Sequence, residues 1–79
     1  MELRVGRSRM ERKVVDSTSM LSWGYDPITK RMEVEYHNGK LYSFFGIPEE
    51  LSRELDASPS KGGYMERNVK GVYSYEKLN

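Results

Sequence analysis

The chain has 79 residues, enough for one domain, with 37% hydrophobic and 32% charged residues and a formal net charge of +1. It carries no cysteine and one histidine, His37, which excludes disulfides, thiolate metal sites and redox thiols and would leave a zinc site to carboxylates. No apolar run approaches the roughly 18 residues of a membrane span, and the first residues lack the apolar stretch of a signal peptide, so a cytoplasmic domain with no cofactor and no membrane contact is expected.

In chain order, residues 1–13 (MELRVGRSRMERK) set five cations against two glutamates, a local +3. They show neither a strand nor a helix period and read as a basic, mobile arm, with Leu3 and Val5 as an edge segment, ahead of a single domain over residues 14–79. Leu21, Trp23 and Tyr25 alternate with Ser22 and Gly24, predicting a half-buried strand over 21–25. Asp26-Pro27 then supplies a turn: proline presets φ and the aspartate bonds the backbone two residues on.

A second alternation runs from Met32 to His37 and meets Asn38-Gly39, the dipeptide suited to a two-residue type I′ turn. That turn would pair Tyr36 with Leu41, Val34 with Ser43 and Met32 with Phe45 on the core face. The opposite face would join His37 to Lys40, Glu35 to Tyr42 and Glu33 to Phe44. Gly46-Ile47-Pro48-Glu49-Glu50 opens a helix over 48–57, with proline at the first position and two glutamates complementing the helix dipole. Leu51 and Leu55 would dock that helix on the sheet. Ser60-Lys61-Gly62-Gly63 leads into a second, short helix, and Val72 to Leu78 alternates again, as an extended segment or a closing hydrophobic clip. The expected fold is α+β: a three-stranded antiparallel sheet over 21–25, 32–37 and 40–45, one main helix, and a second short helix near the carboxyl end.

Several motifs taken together resemble the KTSC domain, a small module found alone in bacteria and phages and at the carboxyl end of some lysyl-tRNA synthetases. They are Ser17-Thr18-Ser19 followed by Gly24-Tyr25-Asp26, Met32-Glu33-Val34-Glu35-Tyr36, Asn38-Gly39-Lys40-Leu41-Tyr42, Phe45-Gly46-Ile47-Pro48, Ser60-Lys61-Gly62-Gly63-Tyr64, and Tyr73. The chain departs from the family pattern in its long basic start, in Pro59 before Ser60-Lys61, and in Met65 where an aromatic is common. The resemblance implies no established catalysis, and it implies nucleic-acid binding only through the synthetase context.

Read from the residues, the strongest candidate site is Ser60, Lys61, Gly62, Gly63, Tyr64, Arg67 and Lys70. A helix start offers N–H groups and a positive dipole end to an anion, and glycines let the backbone approach it closely. The competing structural reading is that the glycines turn the chain and Ser60 caps the helix. Tyr42 and Phe44, placed opposite the core face, would stack bases, or with Ile47 would form an apolar patch. Asp16-Ser17-Thr18-Ser19 and His37 hold the elements of a nucleophile and a base, with no sequence spacing that joins them. The function expected is therefore a non-enzymatic binding module for RNA, single-stranded DNA or a nucleotide. The alternatives are a phage-type protein that sequesters a cyclic nucleotide signal, with a pocket at a homo-oligomer interface, and a module that binds a protein partner.

Overall fold

The computed structural model describes residues 10–79. Among these residues five strands follow one another in an antiparallel meander, β1 (Lys13–Val14), β2 (Met20–Asp26), β3 (Arg31–Tyr36), β4 (Leu41–Phe44) and β5 (Tyr75–Lys77), and their order in the sheet is their order in the chain. Two helices, α1 (Glu49–Ala57) and α2 (Lys61–Asn68), lie between β4 and β5. The fold is α+β with two helices, as expected, but the sheet has five strands where three were expected. The additional strands are the two edges. They have two and three residues, all exposed, so neither shows the burial alternation by which a strand is recognised in sequence.

Most of the basic arm expected over 1–13, including the segment around Leu3 and Val5, lies outside the described residues. Its last residues are engaged. Lys13 pairs with Trp23 in β1–β2, and its ammonium bonds Asp56 at 2.6 Å. The Arg12 guanidinium reaches the Glu33 carboxylate at 2.8 Å on the outer sheet face. The Glu11 carbonyl lies where a side chain on Gly24 would begin, so the chain crosses this face in direct contact with β2.

The central hairpin forms, but one residue out of the expected register. β3 pairs with β4 as Met32 with Phe44, Val34 with Tyr42 and Glu35 with Leu41. The loop holds three residues: the Gly39 N–H bonds the Tyr36 carbonyl and the Tyr36 N–H bonds the Lys40 carbonyl, both at 2.9 Å. Only Gly39 takes positive φ, at 89°, whereas a type I′ turn would require it at Asn38 too. This is the type I turn with a glycine bulge that serves three-residue hairpins. Asn38 helps by accepting the Lys40 N–H on its side chain at 3.0 Å.

Because side chains alternate every residue, the shift carries Tyr42 and Phe44 to the face opposite the expected one. They join Met32, Val34 and Tyr36 beneath the helices, and Phe44 is buried. A ladder of ring contacts runs Tyr36–Tyr42–Phe44, with Tyr75 of β5 touching both Tyr42 and Phe44 at 5.4 and 5.8 Å. An exposed stacking surface of Tyr42 and Phe44 on the outer face is thereby ruled out.

A bulge alters β2 in a similar way. Met20 pairs with Tyr36 and Ser22 with Glu35, so Leu21 is an extra residue. Met20 takes the core position that alternation had assigned to Leu21, and Leu21 is only half-buried. The single core joins Met20, Trp23, Met32, Val34, Tyr36 and Phe44 of the sheet to Ile47, Leu51, Leu55, Met65 and Val69. In α1, Pro48 is the residue before the helix rather than its first, and its carbonyl accepts the Leu51 and Ser52 N–H groups at 3.0 and 3.4 Å.

Candidate functional site

The β3–β4 loop, residues 16–19 and the start of α2 come together around an open cleft of about 800 Å³. The loop contributes His37, Asn38 and Lys40, the strands beside it Tyr36 and Tyr42, and α2 with its flanking residues contributes Ser60 to Gly63, Glu66 and Lys70. Ser17 orders the intervening segment by accepting the N–H groups of Ser19 and Met20 on its hydroxyl, at 3.3 and 3.1 Å. His37 ties that segment to the hairpin: its backbone N–H bonds the Ser19 carbonyl at 2.9 Å and its Nε2 lies 3.0 Å from the Ser17 carbonyl. A carbonyl only accepts, so Nε2 carries the proton. The ring therefore faces a backbone oxygen at that nitrogen, not a serine hydroxyl.

On the other side, the Ser19 hydroxyl occupies the place a Cβ on Gly62 would take. Glycine here permits close approach of α2 to residues 16–19, a structural role different from the chain reversal expected of it. The expected cap is not made either, because Ser60 precedes α2 without a capping bond from its side chain. Its carbonyl receives the Tyr64 N–H at 2.9 Å and the Ser58 hydroxyl at 3.1 Å. The N–H groups of Lys61, Gly62 and Gly63 thus have no partner among the described residues, and they sit at the positive end of the α2 dipole.

Of the seven expected site residues, Ser60, Lys61, Gly62, Gly63 and Lys70 line the cleft, and Tyr64 and Arg67 do not. The cations are not equivalent. The Lys61 ammonium folds back onto the carbonyls of Asp56 and Ser58 at 3.1 and 2.9 Å, at the end of α1, where a helix dipole favours a cation. Lys70 bonds Glu66 at 2.9 Å, which raises its pKa, and its ammonium stands 5.0 Å from the Tyr36 ring centre. Lys40, outside the expected set, has no side-chain partner among the described residues. The Arg67 guanidinium curls back along α2, 2.9 Å from where a Cβ on Gly63 would lie.

Tyr64 instead ties the helices together by donating its hydroxyl to Glu54 of α1. Desolvation, aided by that carboxylate, pushes its pKa up from 10.0 to about 12. A raised folded-state value means stability that is complete below the unfolded tyrosine range and is lost as pH rises through the folded value. Denaturation midpoints should therefore fall as pH rises from about 10 to 12, and Tyr64→Phe should flatten that slope; parallel slopes for the two proteins would refute the assignment.

Lys40, Tyr36, Tyr42 and Asp16 complete the cleft and had no place in the expected site. Asn38-Gly39-Lys40 did mark a cation beside a turn, but nothing local joins that turn to α2, more than twenty residues further along the chain. Among the described residues no three His, Cys, Asp or Glu side chains gather as a metal site, and no helix is long and apolar enough to cross a membrane.

The fold and cleft define a small α+β domain in which a hairpin loop and a glycine-opened helix share one polar groove. Comparison with known proteins places it within a family: the KTSC domain model matches residues 16–73, and the chain belongs to that family. A crystal structure of a KTSC domain protein from Yersinia pestis superposes with a TM-score of 0.84 at 31% identity, covering 89% of this chain and 99% of the other. An uncharacterized protein from Stutzerimonas stutzeri is 34% identical over 71 residues, 89% of this chain and 100% of its own. A lysine–tRNA ligase from Nostoc sp. is 36% identical over 58 residues, which are 73% of this chain and 10% of the ligase. The chain thus spans about a tenth of the length of the ligases it matches.

Proposed function

We propose that this domain is a non-enzymatic, cytoplasmic binding module for phosphate-bearing ligands, RNA, single-stranded DNA or a nucleotide, and that the cleft is its site. The observation that carries the reading is the start of α2: the N–H groups of Lys61, Gly62 and Gly63 lack partners among the described residues, and these residues line the cleft together with Lys40. Such a helix start attracts phosphate through donors and dipole together. The likeness to lysine–tRNA ligases, enzymes that act on tRNA, points to nucleic acid as the source of that phosphate.

Within this reading Lys40, rather than Lys61, supplies the mobile charge, because Lys61 is already committed to the end of α1. Titrating short single-stranded RNA and DNA, mononucleotides and cyclic dinucleotides by calorimetry tests it directly. Lys40→Ala should weaken binding by about tenfold and make the logarithmic salt slope shallower by roughly 0.7. Lys61→Ala should act mainly on thermal stability. No binding to any of these ligands, or binding that ignores salt, would sink the proposal.

A further inference from the structure

The helices do not cover the whole of the sheet face on which they pack. Tyr42 and Phe44 of β4 point to that face, and Phe44 is paired directly with Tyr75 of β5, so the three rings lie on one side of the sheet. Burial falls across them, from buried Phe44 through half-buried Tyr42 to Tyr75, which is 58% exposed. Val14, Ile28 and Val72 are exposed as well, and single aliphatic side chains are ordinary on a surface. Tyr75 differs in being held. Its ring meets Tyr42 at 5.4 Å and 79°, in a T-shaped contact, and Phe44 at 5.8 Å and 47°. An exposed ring already fixed by two neighbours loses little freedom when a ligand stacks on it.

The charges around these rings favour an anionic partner. Lys77 is the direct partner of Tyr42 across β4 and β5, which sets it on the same face. Lys40 lines the cleft together with Tyr42. Lys70 stands 5.0 Å from the centre of the Tyr36 ring, which itself meets Tyr42 at 5.9 Å. Of the two glutamates closest in the chain to these lysines, Glu66 is bonded to Lys70. Glu76 is paired with Ser43 on the outer face, where it reaches Arg31 at 3.7 Å.

We propose that Tyr75, seated on Tyr42, is a stacking platform for an unpaired nucleobase of single-stranded RNA or DNA, whose backbone Lys40, Lys70 and Lys77 attract. The inference rests on the phosphate-binding reading above and adds a base contact to it, away from the start of α2. Stacking on aromatic side chains beside cations is how single strands are held without regard to sequence. A duplex fits poorly, because each of its bases is already stacked on its neighbours. An uncharged apolar partner would gain nothing from the three lysines.

The test uses the full chain, titrated by fluorescence anisotropy with three labelled probes: a single-stranded decamer, the same strand with abasic sites in place of its bases, and the blunt duplex. The intact strand should bind about tenfold more tightly than either of the others. Tyr75→Ala should remove that advantage and leave the logarithmic salt slope unchanged, since the lost contact is not ionic. Tyr75→Phe should bind as the wild type does, because stacking needs the ring and not the hydroxyl. Lys77→Ala should instead weaken intact and abasic strands alike and make the slope shallower by roughly 0.7.

The comparison of intact with abasic strand is made on the unaltered protein, so it decides the matter even where Tyr75→Ala loosens the β5 edge. An abasic strand or a duplex bound as tightly as the intact strand overturns the platform while phosphate binding stands. So does an intact strand bound equally well by Tyr75→Ala. If none of the probes binds, both readings fail. Self-association in sedimentation that Tyr75→Ala abolishes would give the ring to a second copy of the chain and overturn the inference.

Discussion

Replacing Gly24 by alanine is expected to cost about 2–3 kcal/mol, a large effect for the smallest side chain that can be added. The new Cβ would land on the backbone carbonyl of Glu11, which has no rotamer to change and can only move away with its chain. Arg12 would move with it, and Arg12 is the ion-pair partner of Glu33, a carboxylate with only 5% of its side chain exposed. Removing one partner of a buried pair costs more than the pair contributes, because the remaining charge stays desolvated. Arg12 is itself 27% exposed and also reaches Glu35 at 3.5 Å, which places the effect toward the lower end of that range. Arg12→Ala should therefore destabilise the protein by a similar amount in urea denaturation. The double mutant should fall well short of the sum, since both changes release the same contact. Full additivity would show that the crossing segment and the ion pair are energetically separate.

Leu55→Ala is expected to cost about 3 kcal/mol. Leu55 is fully buried and, with Leu51, carries the apolar face of α1 into the core against the sheet. A domain of this size has a total stability of roughly 4–12 kcal/mol, so the loss would remove between about a quarter and three quarters of it. Arg53→Ala on the outer side of the same helix removes only an exposed pair with Glu49 and should change the denaturation midpoint very little. A Leu55→Ala loss below about 1 kcal/mol would show that α1 packs more loosely than its burial implies.

What was legible in the sequence follows the range of the forces involved. Alternation in β2 and β3, the Asn-Gly turn, and the proline and glutamates that open α1 are local patterns, and each placed its element to within a residue or two. The register of the hairpin was not legible. Asn38-Gly39 suits both a two-residue and a three-residue loop, and the choice decided which face received Tyr42 and Phe44. The bulge at Leu21 escaped for the same reason: a one-residue insertion leaves composition unchanged and reverses the facing of the residues before it. Edge strands β1 and β5 exist because β2 and β4 offer them hydrogen bonds, so their sequences need no burial pattern of their own.

The site divides along the same line. Ser60 to Gly63 announced a helix start with glycine-rich backbone, and that feature is local. That Lys61 would turn back onto α1, that Tyr64 would bridge to Glu54, and that His37 and Lys40 would face α2 all depend on contacts between elements distant in the chain. The resemblance to the KTSC family bridged part of this gap, since its motifs Ser17-Thr18-Ser19, Asn38-Gly39-Lys40 and Ser60-Lys61-Gly62-Gly63 are the three segments that meet around the cleft.

A meander leaves its sheet unclosed, with a row of unpaired backbone groups at each side, the usual starting point for runaway association between copies of a protein. Among the described residues one outer row is two residues long and includes Lys13, and the other is three residues long and includes Glu76 and Lys77. A neighbouring chain adding a strand to either would find room for few hydrogen bonds and would have to bury a charge beside them. Among the described residues the two short strands thus act as the selvedge of the sheet, an edge that offers a further thread little to be woven into.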